Sequence, residues 1–225
     1  MIRLVAFDLD GTLVDSHRDL GDATNALLAD LGAEPLPHDA ITKMVGEGAA
    51  VLVRRALTRA GLDPDTPDAL PRFLVHYDAR LLATTNPYAG MAGAIDALRT
   101  TRRLAVLTNK PQAATMKVLG GLGLLEMFAD VIGGDTELGR KPDPAGLREL
   151  AARGGASPLE TLLVGDSPID LETARRAGTR ICLARYGFGF RFGDGDFDGR
   201  ERFIDEPADL IAVIAALDAG TSPAR

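Results

Sequence analysis

Cysteine occurs once in this chain of 225 residues, at Cys182, and tryptophan does not occur at all. A single thiol excludes an intrachain disulfide and suits a reducing compartment, where its default state is buried and inert. The three histidines, His17, His38 and His76, are scattered without metal-ligand spacing. No apolar run reaches the roughly eighteen residues that span a bilayer. The N-terminus sets Arg3, Asp8 and Asp10 around one short apolar stretch, so it reads as neither a signal peptide nor an anchor. Positive charge is also in short supply. With 25 Lys and Arg against 32 Asp and Glu, the net charge is −7, which opposes a nucleic-acid partner, because phosphate backbones are bound by concentrated cations. A cytoplasmic protein with no nucleic-acid or membrane partner is expected.

Against these absences stand 46% hydrophobic and 25% charged residues, the balance of a chain that packs a core. The length allows one large domain, or a core with a smaller insert. Apolar runs at 4–7, 104–107, 131–132, 162–164 and 181–184 are short, rich in Leu, Val and Ile, and free of polar alternation. Strands buried on both faces have this character. Helical spacing fills the intervals at 92–99, 113–122, 145–152 and 171–177, so an α/β fold with a parallel sheet between helices is expected. Ser157-Pro158-Leu159-Glu160 reads as a capping box. From Ser16 to Ala83 the alternation stops. Leu20, Ala23, Leu27, Leu28 and Leu31, then Val51, Leu52 and Leu57, then Phe73, Leu74, Leu81 and Leu82, mark an all-helical insert in the first strand-to-helix connection.

In open parallel sheets, ligands bind beyond the carboxyl ends of the strands, so the polar residues closing each run carry the interest. They are Asp8-Leu9-Asp10-Gly11-Thr12, then Thr108-Asn109-Lys110, then Lys141-Pro142-Asp143-Pro144, and Gly165-Asp166-Ser167-Pro168-Ile169-Asp170. Each has an ordinary reading. Asp10-Gly11 is a turn dipeptide, Thr108 and Asn109 suit an N-cap, Lys141 suits a solvated surface, and Asp166 or Ser167 suits the cap of a helix opened by Pro168. Four such clusters at successive strand ends favour a joint role.

The residue types fit phosphoryl chemistry. Mg²⁺ takes oxygen ligands and keeps several waters, so carboxylates of Asp8 and Asp166 with the Asp10 carbonyl would suffice. Asp170 would contribute from the first or second coordination shell. A carboxylate such as Asp8 can also attack phosphorus. Lys141 and the Thr108 hydroxyl suit charge neutralisation. Asp10, two residues along and on the same side as Asp8, suits proton transfer to and from the leaving oxygen.

These residues resemble the haloacid dehalogenase superfamily, in its phosphatase branch. Residues 7–15 look like the first motif, Thr108 the second, Lys141 the third, and Asp166 with Asp170 the fourth. The resemblance covers nearly the whole chain. It implies a Mg²⁺-dependent phosphatase with Asp8 as nucleophile and Asp10 as acid and base. The implied fold is a Rossmann-like core of residues 1–15 and 84–225, with a helical cap at 16–83. Asp10 excludes the dehalogenases themselves, which lack the second aspartate. Val45-Gly46-Glu47-Gly48 followed by Leu52, Arg55, Ala56 and Leu57 is similar to the cap of the phosphoglycolate phosphatases, as are residues 86–91, 133–136 and 165–178 and Tyr186-Gly187. That likeness implies 2-phosphoglycolate as the small phosphorylated substrate, contacted by Gly46, Glu47, Gly48, Arg55 and Asn109. Sugar phosphates, pyrophosphate and a phosphoglucomutase-like transfer reaction stay open as alternatives, as does a non-catalytic scaffold. Monomer and homodimer are equally compatible with the sequence.

The departure from the family lies at residues 188–202, rich in Phe, Gly and Asp. Asp194, Asp196, Asp198 and Gly199, with Asp205 in the twelfth place, mimic a calcium loop. Glu201 takes the place of an apolar residue there and no helical pattern precedes it, so a solvated acidic loop is expected.

Overall fold

The computed structural model describes residues 1–193 and 195–220. In chain order the first elements are β1 (Leu4–Phe7), β2 (Val14–Asp15), α1 (His17–Asp30), α2 (His38–Thr42), α3 (Ala49–Arg59), α4 (Ala69–Asp78) and β3 (Asn86–Pro87). There follow α5 (Met91–Arg99), β4 (Arg103–Leu107), α6 (Gln112–Gly121), β5 (Asp130–Ile132), α7 (Ala145–Arg153) and β6 (Thr161–Gly165). The last are α8 (Pro168–Ala177), β7 (Arg180–Ala184), β8 (Arg202–Ile204) and α9 (Asp209–Asp218).

Six strands form one parallel sheet in the order β5-β4-β1-β6-β7-β8. Strand periodicity sorts its side chains into two cores. Leu4, Ala6, Ala105, Leu107, Leu163, Ile181 and Leu183 pack with α7 and α8 on one face. Val5, Phe7, Leu104, Val106, Leu162, Val164 and Cys182 pack with α5, α6 and α9 on the other. This double burial explains the continuous apolar runs: β1 is buried at all four positions. Cys182 is buried as expected, and burial pushes its thiol up to about 12, away from reactivity.

The helices α1–α4 all lie between β2 and β3. Those two short strands pair antiparallel, Val14 with Pro87 and Asp15 with Asn86, so the chain leaves and returns side by side. Asp19 in the first turn of α1 fastens the junction. Fully buried, it accepts hydrogen bonds from the amides of Thr84 at 2.9 Å and Thr85 at 2.8 Å, and from both hydroxyls at 2.7 Å. Burial opposes its charge, yet these donors prevail and hold the carboxyl below its ordinary value.

The structure adds elements that the sequence patterns do not announce. The core of α9 reads Leu-Ile-Ala-Val-Ile-Ala-Ala-Leu, with no polar residue to mark a period, and β8 has only three residues. The loop after β7 keeps Asp196, Asp198 and Arg200 exposed, as expected of a solvated acidic loop, but its aromatic side chains turn inward. Phe190, Phe192, Phe197 and Phe203 stack in succession at centroid spacings of 4.9 to 5.0 Å and lie against the α7–α8 core. Glu201 is buried and takes the amides of Asp198 and Gly199. Four aromatic side chains in so short a segment gain more by packing than by hydration. Asp194 of the calcium-like pattern lies outside the described residues.

Candidate active site

The carboxyl ends of β1, β4 and β6 lie side by side, and the predicted residues converge there. Asp8 follows β1, Thr108 follows β4 and Asp166 follows β6. Lys141 reaches in from the loop before α7, with its Nζ 2.7 Å from Asp8 Oδ1 and 2.6 Å from Asp170 Oδ1. Asp170 also accepts from the amides of Asp166 and Ser167 and from the Ser167 hydroxyl, closing the capping box that starts α8 behind Pro168.

Asp8, Asp166 and Asp170 each present an oxygen within 4.8 Å of the other two, and all three are buried. One lysine stands against three carboxylates. Burial raises the Asp8 pKa to about 6, opposed by Lys141 and reinforced by Asp170. Burial and the charges of Asp170 and Asp8 raise Asp166 well above its ordinary value. Excess buried negative charge on hard oxygen donors is what a divalent cation relieves, so the donor set fits such an ion. Asp10 adds no carboxylate to this group.

Asp166 sits in a cradle that excludes side chains. A Cβ on Gly11, whose φ is 90°, would lie 2.1 Å from Asp166 Oδ2. The Gly189 amide donates to the same oxygen at 2.7 Å. The loop that carries Gly189 continues to Arg191, which donates to the carbonyls of Lys43 at 2.6 Å and Thr42 at 2.9 Å at the end of α2.

The Asp10 carboxylate is held by residues that the sequence reading did not select. Lys110 Nζ donates to its two oxygens at 2.9 and 3.0 Å, and the Ser16 hydroxyl donates to Oδ1 at 2.6 Å. The Lys110 ammonium also donates to the Tyr77 hydroxyl of α4 and lies 4.5 Å from that ring's centre. Burial would lower the lysine pKa, but Asp10 and Tyr77 raise it, so Lys110 is a cation. Burial raises the Tyr77 phenol to about 12, so its proton stays on.

A chamber of 50 Å³ lies between this rim and the helical insert. Asp8, Asp10, Thr108, Asn109 and Lys110 line one side, and Gly46, Gly48, Ala49, Leu52 and Tyr77 line the other. Asn109 joins the two sides: its Nδ2 donates at 3.0 Å to the carbonyls of Gly46 and Lys141. Two carbonyl acceptors fix the amide orientation, and Asn109 Oδ1 is left buried without a partner. Gly48, with φ 92°, precedes α3, whose first turn has no side-chain cap and no acidic residue. Glu47 and Arg55 are not part of the chamber lining. They form an exposed ion pair with each other, and Arg55 also donates to the Met44 carbonyl. The three histidines pair separately with Asp15, Asp22 and Asp30.

Among the described residues, no helix is long and apolar enough to cross a membrane. The haloacid dehalogenase-like hydrolase family model matches residues 5–184. A phosphoglycolate phosphatase of Rhodospirillum rubrum is 44% identical over 196 residues, covering 84% of this chain and 81% of that protein. One from Cupriavidus necator, carried on a plasmid, is 37% identical and covers 98% and 94%. The crystal structure of a predicted phosphoglycolate phosphatase from Haemophilus somnus superposes with a TM-score of 0.87 at 29% identity, covering 95% of this chain and 98% of that one. With its motifs gathered on one rim and a family match over most of its length, the chain belongs to the haloacid dehalogenase-like hydrolases.

Proposed function

We propose that this chain is a Mg²⁺-dependent phosphatase that converts 2-phosphoglycolate to glycolate and phosphate through a phosphorylated Asp8. The observation that supports the reading is the chamber itself, where Asp8, Asp10 and the amide end of α3 line one space of 50 Å³. Asp8, Asp166 and Asp170, with the Asp10 carbonyl, would hold the metal. When bound, Mg²⁺ neutralises charge on the phosphoryl oxygens.

The Asp8 carboxylate attacks phosphorus and the ester P–O bond breaks. The Asp10 carboxyl gives its proton to the departing alkoxide. It then takes a proton from a water that attacks the aspartyl phosphate, which releases phosphate and restores Asp8. Lys141 balances the charge of Asp8 and of the transferred oxygens, and the Thr108 hydroxyl donates to those oxygens. Lys110 and Ser16 hold the Asp10 carboxylate in place.

Substrate choice falls to the insert, because every phosphomonoester offers the rim the same phosphoryl group. A helix N-terminus favours an anion, and α3 presents uncapped amides behind Gly48. The carboxylate of 2-phosphoglycolate is close enough to its phosphate to meet them. In this reading Arg55 braces the loop through Glu47 rather than touching the ligand. Residues 16–83 act as a cap over the rim, with the paired strands β2 and β3 as the hinge. The named activity of the relatives supports the same substrate.

The test is phosphate release from a panel of phosphomonoesters and pyrophosphate with Mg²⁺. The highest kcat/KM is expected for 2-phosphoglycolate, with turnover abolished by chelator and restored by Mg²⁺. Gly48→Val should reduce hydrolysis of 2-phosphoglycolate far more than that of p-nitrophenyl phosphate, which has no carboxylate. Equal losses would assign Gly48 to closure rather than recognition. A wide preference for a hexose phosphate would overturn the substrate and leave the phosphatase chemistry standing.

A further inference from the structure

The edge of the sheet opposite the rim also has a charged cavity. At the starts of β7 and β8 lies a space of 440 Å³, within the range of roughly 300–1,000 Å³ typical of small-molecule sites. Arg175, Arg180, Arg200 and Arg202 line it, together with the carboxylates Asp198 and Glu201. Four guanidinium groups against two carboxylates leave an excess of two positive charges, on a chain whose net charge is −7.

The two carboxylates are already engaged. Glu201 pairs with Arg175 at 2.9 Å and accepts the amides of Asp198 and Gly199. Asp198 lies 3.7 Å from Arg200 and accepts that residue's amide. Arg180 and Arg202 have no carboxylate within ion-pair distance among the described residues. Arg180 donates to the Leu159 carbonyl, and Arg202 to the carbonyls of Arg200 and Glu201.

Buried polar atoms nearly always have a partner. Four buried side-chain polar atoms lack one among the described residues, and two of these, Arg202 Nε and Thr179 Oγ1, belong to residues lining this cavity. A third, Asn109 Oδ1, belongs to the reactive chamber, where a ligand must enter. Guanidinium groups, with donors in a fixed fork, match the oxygens of phosphate and carboxylate.

From the cavity and its excess of guanidinium charge we infer that Arg180 and Arg202, with Thr179 beside them, form a second anion site, for a compact dianionic oxyanion. The ligand bears either a phosphoryl group or two carboxylates. Arg200 supplies further charge at the mouth. The site lies at the opposite end of β7 from the catalytic rim, roughly 13 Å away at about 3.3 Å per residue. It takes no part in the chemistry at Asp8.

The experiment is a titration of the ¹⁵N-labelled, Mg²⁺-loaded enzyme with inorganic phosphate and, separately, with malonate, following the amides of Thr179, Arg180, Gly199 and Arg202. At least one probe should shift these four amides saturably in the millimolar range, and the tighter probe identifies the ligand class. Phosphate will also reach the catalytic rim, where the amides flanking Asp8 report it independently. Arg180→Ala combined with Arg202→Ala should weaken the second set about tenfold or more while leaving the shifts near Asp8 intact. Turnover should stay within about twofold, as expected for distant sites. Arg200 is 89% exposed in its side chain, so Arg200→Ala is a variant that leaves the fold untouched, and it should weaken the same shifts by a smaller factor. No saturable shift with either probe, or shifts unchanged in both variants, would overturn the second site. Neither result bears on hydrolysis at Asp8.

Discussion

The strand ends and the helical insert face each other across one chamber, yet they treat charge in opposite ways. On the rim, Asp8, Asp166, Asp170, Lys110 and Lys141 are all buried, and each is held by named partners. On the insert, Arg54 with Asp65, Arg55 with Glu47 and Lys43 with Asp39 are exposed pairs. A buried charge that loses its partner is left uncompensated at high cost, whereas an exposed pair is typically worth about 0–1 kcal/mol. The rim therefore has little freedom to vary, while the outer face of the insert has much.

The largest expected effect is at Asp8. Asp8→Asn keeps the shape but removes the attacking charge, so steady-state phosphate release should fall to background with an unchanged circular dichroism spectrum. Asp166→Ala comes next. It removes one of the three carboxylates that could hold a divalent ion, so calorimetric titration should show weakened Mg²⁺ binding and turnover should need more metal. Asp10→Asn should cost on the order of 10²–10⁴ in rate, the usual contribution of a positioned acid or base. The loss should be greater for alkyl esters than for p-nitrophenyl phosphate, whose leaving group needs no proton.

A smaller effect is expected where the rim meets the insert. Asp19→Ala strands the donors of Thr84 and Thr85, so urea unfolding should show a loss of about 2–3 kcal/mol, the scale of hydrogen bonds to a charged group. The sign with pH follows from the lowered pKa of Asp19. Its contribution is fully present above the ordinary carboxylate value and fades as pH falls through the native one, so the variant's deficit should shrink in acid. The smallest effect is expected at Arg55→Ala, within about 1 kcal/mol in stability for an exposed pair. A loss at Arg55 as large as that at Asp19 would break the contrast between the two regions.

The same contrast explains what could be read from the sequence. The strands were visible because burial on both faces leaves unbroken apolar runs, and their ends point to Asp8, Thr108 and Asp166 without any knowledge of the third dimension. The partners of Asp10 were not visible. Tyr77 reaches Lys110 from 33 residues away, across the chamber, and no local pattern carries that contact. Lys110 itself carries a signal in the sequence, a lysine directly after Thr108-Asn109 at a strand end. Glu47 and Arg55 belong to the cap pattern in sequence, but in the fold their opposite charges satisfy each other at the surface. The aspartates of the segment after β7 stand out in sequence and are exposed in the fold, whereas the inward packing of its phenylalanines follows no local period.

The central claim is that phosphoryl transfer passes through Asp8. Rapid acid quenching during turnover of 2-phosphoglycolate, followed by peptide mapping by mass spectrometry, tests it directly. The account predicts one base-labile phosphoryl group on the peptide containing Asp8, present with Mg²⁺ and absent with chelator. Full turnover with no phosphoryl adduct at any quench time, or an adduct on another residue, would contradict it.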